Sequence, residues 1–257
     1  MKFRNAWATG IPLVVTGVHE KVQSQWTPAL FSKRFGKDSV WLVNCQTDEP
    51  ERGTVEDFFR NFGTPKPINQ SILKLKDWPT QTDFQALCPE LYKDFLNAVP
   101  MPDYTRPDGI RNLASYFDTS SIVPDLGPKL YIAHGTRQDD EHSGSTRLHT
   151  DITDAVNMMM YAGDSSDGSR GFAVWHIFRA SDSDVLRSFL SNRLQETDSD
   201  VDVDPIHGQN TYMTPSMIEK LQEMHGIKPY VIMQFVGDAV FIPAGCPHQV
   251  RSSMLCM

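Results

Sequence analysis

The stretch STRLHTDITDAVNMMMYAG (Ser145–Gly163) sets an imidazole two residues before a carboxylate and then runs into an apolar segment. Residues i and i+2 of an extended chain point to the same face. With LHTDIT extended, His149 and Asp151 project together and can take two adjacent positions on one metal ion. The pair alone does not specify a metal. Eight histidines among 32 acidic residues give roughly one His-x-Asp/Glu by chance at ordinary composition.

A second stretch, GDAVFIPAGCPHQV (Gly237–Val250), changes the weight of the first. Gly237-Asp238 reads as a turn, AVFIP as a strand and AGCP as another tight turn, after which His248 opens a new strand. His248 lies 97 residues after Asp151 (248 − 151), so only a closed sheet would bring them together. One His-x-Asp pair with one distant His is the 2-His-1-carboxylate pattern, which leaves coordination positions open on Fe(II). His176, in VWHIF, reads as a core or wall residue. His19, His134, His142, His207 and His225 read as loop or helix-end residues.

The bulk properties bound the answer. A chain of 257 residues, 40% hydrophobic, can bury one large core or a barrel with a smaller subdomain. No run approaches the length of a membrane span. Trp7 and Pro12 interrupt the apolar N-terminal patch and no small-residue cleavage site follows, so no signal peptide is expected. Cys45, Cys88, Cys246 and Cys256 form no CxxC pair, which argues against a zinc knuckle or a disulfide framework and for a reducing compartment. The net charge of −8 makes direct nucleic-acid binding a poor fit. It suits a Lys/Arg-rich peptide partner, although mild acidity also serves plain solubility.

Along the first half, TPALFSKRFG reads as a helix with Thr27 as N-cap and Pro28 at its first position. SVWLVNC reads as a buried strand, TVEDFFRNFG as a helix capped by Thr54 and ended by Gly63, ILKLKDW as a half-buried strand, PELYKDFLNAVP as a helix, and MPDYTRPDG as a turn-rich connector. The second half is β-rich. PKLYIAHG, AVNMMMYAG, GFAVWHIF, YVIMQFVG and DAVFIPAG are short strands separated by Gly, Asp and Pro, as in a sandwich or barrel. The helical pieces SDVLRSFLSNRL and TPSMIEKLQEMHG interrupt them. ETDSDVDVD, between these helices, reads as a solvated loop.

Together GPKLYIAHG, LHTDITDAVNMMMYAG, AVWHIF, DPIHGQNTYM and QFVGDAVFIPAGCPHQV resemble the JmjC domain of the JHDM2-type histone H3 lysine-9 demethylases. GIPLVVTGVH, VNCQTDE, LKLKDWP and PDYTRPDGIRNLAS are similar to that family's N-terminal segment, so the resemblance runs in order along nearly the whole chain. It implies one JmjC-type domain over 1–257: a mixed α/β segment to about residue 125, then a double-stranded β-helix with flanking helices. It implies Fe(II) bound by His149, Asp151 and His248, with 2-oxoglutarate and dioxygen as cosubstrates. Thr146 matches the position that binds the distal carboxylate of 2-oxoglutarate. Asn157 and Tyr131 are candidate cosubstrate contacts, and Lys129, which shares a face with Tyr131 by strand periodicity, is a candidate source of positive charge. A satisfied core amide is the alternative for Asn157.

The implied reaction oxidises 2-oxoglutarate to succinate and CO₂ and hydroxylates an N-methyl group of mono- or dimethylated lysine 9, releasing formaldehyde. The implied setting is the nucleus, with the histone H3 tail and chromatin-associated proteins as partners. Two alternatives stay open: a JmjC protein hydroxylase with another substrate, and a catalytically weak, truncated JmjC chromatin-binding module. The chain departs from the family pattern at Arg147, where relatives carry Asn, and at Cys246, where relatives often have Ala and the cysteine reads as a small turn residue. RSSMLCM replaces a stretch that runs on through a lysine into the last barrel strand. The barrel is therefore expected to be cut short, with weaker cosubstrate binding unless Lys129 or Arg251 substitutes.

Overall fold

The computed structural model describes residues 2–60, 62, 71–80, 82–118, 120, 122, 126–135, 144–164, 168–196 and 204–252. Most of ETDSDVDVD, the final five residues, His142 and Cys256 lie outside the described residues. Among the described residues eleven strands run in chain order: β1 (Leu13–Val15), β2 (Ser39–Asn44), β3 (Pro50–Thr54), β4 (Leu73–Trp78), β5 (Leu130–Ala133), β6 (Thr146–His149), β7 (Ala155–Met158), β8 (Phe172–Ile177), β9 (Tyr230–Phe235), β10 (Ala239–Ile242) and β11 (His248–Ser252). They form three antiparallel sheets, ordered β1-β10-β7, β6-β11-β8-β9 and β3-β2-β4-β5.

Two N-cap signals of the first half act as expected, while Gly63, the expected helix end, lies outside the described residues. Thr27 Oγ1 accepts the Leu30 N–H and starts the helix Pro28–Phe35, and Thr54 Oγ1 accepts the Asp57 N–H at the head of Val55–Arg60. Each satisfies a donor that the first helical turn leaves orphaned. SVWLVNC differs from its expected burial. Val40 and Leu42 are buried, but Trp41 between them is 56% exposed, so β2 covers a core with one face only. The connector MPDYTRPDG holds one helical turn, Pro102–Thr105.

Two of the sheets face one another and build the expected double-stranded β-helix. Ala155, Met159, Val240 and Ile242 come from the β1-β10-β7 side. They pack against Ala173, Trp175, Ile177, Ile232 and Val250 from the β6-β11-β8-β9 side. Strand alternation explains the selection: Val240 and Ile242 turn inward, while Ala239 and Phe241 turn out onto Val18, Ala98, Val99, Phe3 and Trp7. Leu148 is buried on the outer side of the second sheet, against Phe178, just past β8, and against Leu186, Leu190 and Leu221 of the helical pieces. The third sheet has its own aromatic core, including Trp26, Phe31, Phe58, Trp78 and Phe84.

Strands cross the division near residue 125. β1, from the N-terminal segment, pairs with β10 in the barrel, Leu13 opposite Phe241. β5, grouped by its sequence with the barrel strands, pairs with β4 in the third sheet, Leu75 opposite Ile132. The two segments therefore share sheets, and removing either would leave unpaired strand edges in the other.

Candidate metal centre

β6 ends at His149 and β11 begins at His248, and these two residues face each other across the ladder. Cross-strand partners in an antiparallel pair project to the same side. Asp151 does not sit on the strand, as an extended LHTDIT would have it; β6 stops at His149 and the carboxylate reaches in from the following turn. That turn is tied to the hairpin that delivers His248. The Gly245 N–H donates to the Asp151 carbonyl at 2.9 Å, and the Ala244 N–H donates to Asp154 Oδ1 at 2.8 Å. Gly245 has φ 73°, a conformation a glycine takes at little cost. Trp7 Nε1 donates to Asp154 Oδ2 at 3.2 Å, which anchors the same corner to the N-terminal helix.

The three side chains converge. His149 Nε2 lies 4.0 Å from Asp151 Oδ1, His248 Nε2 lies 3.7 Å from Asp151 Oδ2, and one ligand atom from each falls within 4.8 Å of the others. The ring centroids of His149 and His248 are 4.2 Å apart. Both Nδ1 atoms are engaged, His149 with the Arg147 carbonyl and His248 with the Cys246 carbonyl, each at 2.9 Å. A carbonyl can only accept, so each Nδ1 carries the proton and each Nε2 presents a lone pair. This is the outer-shell arrangement that orients imidazole ligands.

His248 is 3% exposed and stacks on Trp175 at 6.0 Å. Its pKa is pushed down to about 4, chiefly by burial and then by the neighbouring His149, against the opposing pull of the Cys246 carbonyl and Asp151. The ring is thus neutral, and able to coordinate, throughout the physiological range. Two imidazoles and one carboxylate gathered on one side form a donor set that suits Fe(II) and leaves the opposite side for exchangeable ligands. The residues present fit that ion.

The candidate cosubstrate residues fall into two groups. Thr146 stands opposite Val250, while His149 stands opposite His248. Three steps along β6 therefore match two steps along β11, the mark of a bulge. The extra residue returns Thr146 to the face of His149, where simple alternation would turn it away. Asn157 also faces the barrel interior, with Oδ1 accepting from Gln234 Nε2 at 3.1 Å, and Gln234 Oε1 in turn accepts from Trp175 Nε1 at 2.8 Å. Tyr131 and Lys129 belong to the third sheet's side. The Tyr131 hydroxyl hydrogen-bonds Asp77, and Lys129 Nζ donates to the Pro79 carbonyl at 3.3 Å. Arg251 faces outward: its partner Val174 sits on the opposite face of β8 from Trp175. Its charge helps burial to lower the pKa of His176, a residue of that same outer face.

The sequence pattern did not reveal the two carbonyls that fix the imidazoles, because any residue supplies a carbonyl. Asp154 was discoverable in principle. An aspartate three residues past the candidate carboxylate, in a turn, is a natural acceptor for the exposed N–H groups of a PAG hairpin.

Comparisons with known proteins agree with this geometry. Residues 145–257 match the family described as JmjC domain, hydroxylase. Lysine-specific demethylase 3A of Homo sapiens is 38% identical over 293 residues, which covers 99% of this chain and 22% of that protein. Its Gallus gallus counterpart is 38% identical over 294 residues with the same coverage. The probable JmjC domain-containing histone demethylation protein 2C of Homo sapiens is 33% identical over 296 residues, covering 99% of this chain and 12% of that protein. The chain thus spans about a fifth of the length of the demethylase 3A relatives. The JmjC match falls on the stretch that carries all three candidate ligands, and over nearly its whole length the chain is a homologue of the JHDM2-type histone lysine demethylases.

Proposed function

We propose that this chain is the catalytic unit of an Fe(II)- and 2-oxoglutarate-dependent histone lysine demethylase acting in the nucleus on mono- and dimethylated lysine 9 of histone H3. The observation that carries the reading is the convergence of His149, Asp151 and His248, with both Nδ1 atoms committed to backbone carbonyls. Similarity to lysine-specific demethylase 3A supports the substrate class. His149 and His248 would hold iron through Nε2 and Asp151 through a carboxylate oxygen. Bound iron, with 2-oxoglutarate and dioxygen, supplies the oxidising equivalent that hydroxylates an N-methyl carbon, and the product collapses to formaldehyde and the shortened amine. Thr146 and Asn157, on the inner face, would orient the cosubstrate. The Trp175 ring and the apolar interior behind His248 keep water from the buried side of the centre. The net charge of −8 favours encounter with a basic histone tail.

The word hydroxylase in the matched family's description favours one second reading, hydroxylation of another protein substrate. The test is mass spectrometry of H3 peptides incubated with the protein, Fe(II), 2-oxoglutarate and oxygen. Loss of methyl groups with release of formaldehyde supports demethylation. Succinate formation with no change in any methylated H3 peptide favours the hydroxylase.

A further inference from the structure

The carbonyl that fixes His149 belongs to Arg147, and Arg147 sits in the bulge of β6. Residues 147 and 148 together face Gln249 between the two regular pairs, His149 with His248 and Thr146 with Val250. A bulge disrupts the local ladder and leaves the extra residue unpaired. The backbone that orients a ligand is therefore not held by the β11 ladder at that point. Other contacts hold it. The Leu148 N–H donates to the Thr211 carbonyl at 2.9 Å. The Arg147 guanidinium spreads over three acceptors: Nη1 lies 2.7 Å from Asp48 Oδ2, Nη2 donates to the Gln46 carbonyl at 2.7 Å, and Nη1 reaches the Asn210 carbonyl at 3.4 Å.

This arrangement is built rather than incidental. The Arg147 side chain is only 17% exposed. Asp48 adopts φ 60°, a strained conformation for which aspartate is among the better-suited residues, and its other oxygen lies 3.9 Å from Lys74 Nζ. Lys74 is more sheltered still, with a side chain 13% exposed. A planar guanidinium can satisfy several acceptors in a fixed fork; an ammonium would act as a point charge.

We infer that Arg147 is a positioning residue for the metal centre: its clamp on Asp48 and Gln46 holds the bulged backbone of β6 so that the Arg147 carbonyl fixes the His149 ring for coordination. The inference rests on the iron reading above. It assigns to Arg147 no contact with iron, cosubstrate or peptide.

The test measures Co(II) binding to the metal-free protein by chelator competition, together with the visible absorption spectrum of the Co(II) form. Arg147→Met keeps much of the side-chain bulk and removes the charge and the fork. It should weaken Co(II) binding at least about tenfold, the lower end of what loss of an outer-shell partner costs, and should alter the ligand-field bands. Asp48→Asn tolerates the left-handed backbone and retains one acceptor, so it should show the same change to a smaller degree. It also provides the test if Arg147→Met fails to fold. Arg34→Met removes the remote surface pair with Glu90 (3.4 Å) and should leave affinity and spectrum unchanged. Affinities within twofold of the parent and an unchanged spectrum in both clamp variants would overturn the inference while leaving the iron reading intact. A parent protein that binds no Co(II) would overturn the iron reading, and this inference with it.

Discussion

His149 and His248 are cross-strand partners, yet each ring is fixed by its own strand or turn: each donates Nδ1–H to the carbonyl two residues upstream, Arg147 and Cys246, at the same 2.9 Å. The repeated i−2 contact turns both Nε2 atoms toward Asp151. Much of the orientation of the two imidazoles is therefore set by the chain's own backbone, which reduces the ordering cost of binding a ligand there.

The first prediction concerns these ligands. His149→Ala, Asp151→Ala and His248→Ala should each lower Co(II) or Fe(II) affinity at least about 100-fold, beyond the range for outer-shell losses, and abolish turnover. Far-ultraviolet circular dichroism should be unchanged. Isothermal titration on the three variants checks this, and near-parental affinity in any of them would remove that residue from the ligand set.

The second concerns acid. The pKa of His248 is about 4 in the folded protein, below its ordinary 6.5. Between those values the unfolded chain binds a proton that the folded chain does not. The metal-free protein should therefore hold the His248 contribution in full above about pH 6.5 and lose it progressively as the pH falls to about 4. The buried His176, also shifted down by burial, contributes with the same sign. Urea midpoints at pH 7, 5.5 and 4 should decline in that order, and less steeply in His248→Gln.

Thr146 offers a third test. Its return to the ligand face depends on the β6 bulge, and the role proposed for it toward 2-oxoglutarate is separable from metal binding. Thr146→Val preserves shape and would remove the proposed hydrogen bond to a carboxylate, worth about 1.5–3 kcal/mol. The affinity for 2-oxoglutarate should fall by about ten- to a hundredfold with Co(II) affinity unchanged. Equal 2-oxoglutarate affinities would assign the distal carboxylate to other groups.

A fourth separates stability from the site. Asp94 is 5% exposed and accepts hydrogen bonds from the Gln23 and Ser24 N–H groups and from Trp26 Nε1, at 2.8–3.0 Å. Burial raises its pKa, but these three donors outweigh it and hold the carboxyl below the usual range. Asp94→Ala leaves those donors without an acceptor and should cost about 3 kcal/mol of stability. Chemical denaturation would record the loss, with Co(II) affinity retained in the folded protein.

The barrel and the convergence of the three candidate ligands were legible because both depend on patterns that side chains carry. AVFIP read as a strand, as β10 is, and a His opening a strand after the AGCP turn marked where a candidate ligand returns. What escaped was set by the backbone. The β6 bulge cannot be read from TRLH, because the extra residue is defined only by its partner strand. β1 escaped because Leu13–Val15 is too short to show a period. β3, PERGT, carries Pro and Gly, which ordinarily argue against a strand, and is tolerated at the sheet edge beside β2. The placement of Tyr131 follows from β5 pairing with β4 across the segment division, a long-range pairing with no local signature.

The most direct measurement is single-turnover mass spectrometry on an H3 peptide dimethylated at lysine 9, with the protein, Fe(II), 2-oxoglutarate and oxygen, beside the Asp151→Ala variant. The account predicts stepwise loss of methyl groups, matched by equimolar formaldehyde and succinate, for the parent alone. Methyl loss that persists in Asp151→Ala, or an iron-loaded parent that leaves the dimethylated peptide intact, would contradict it.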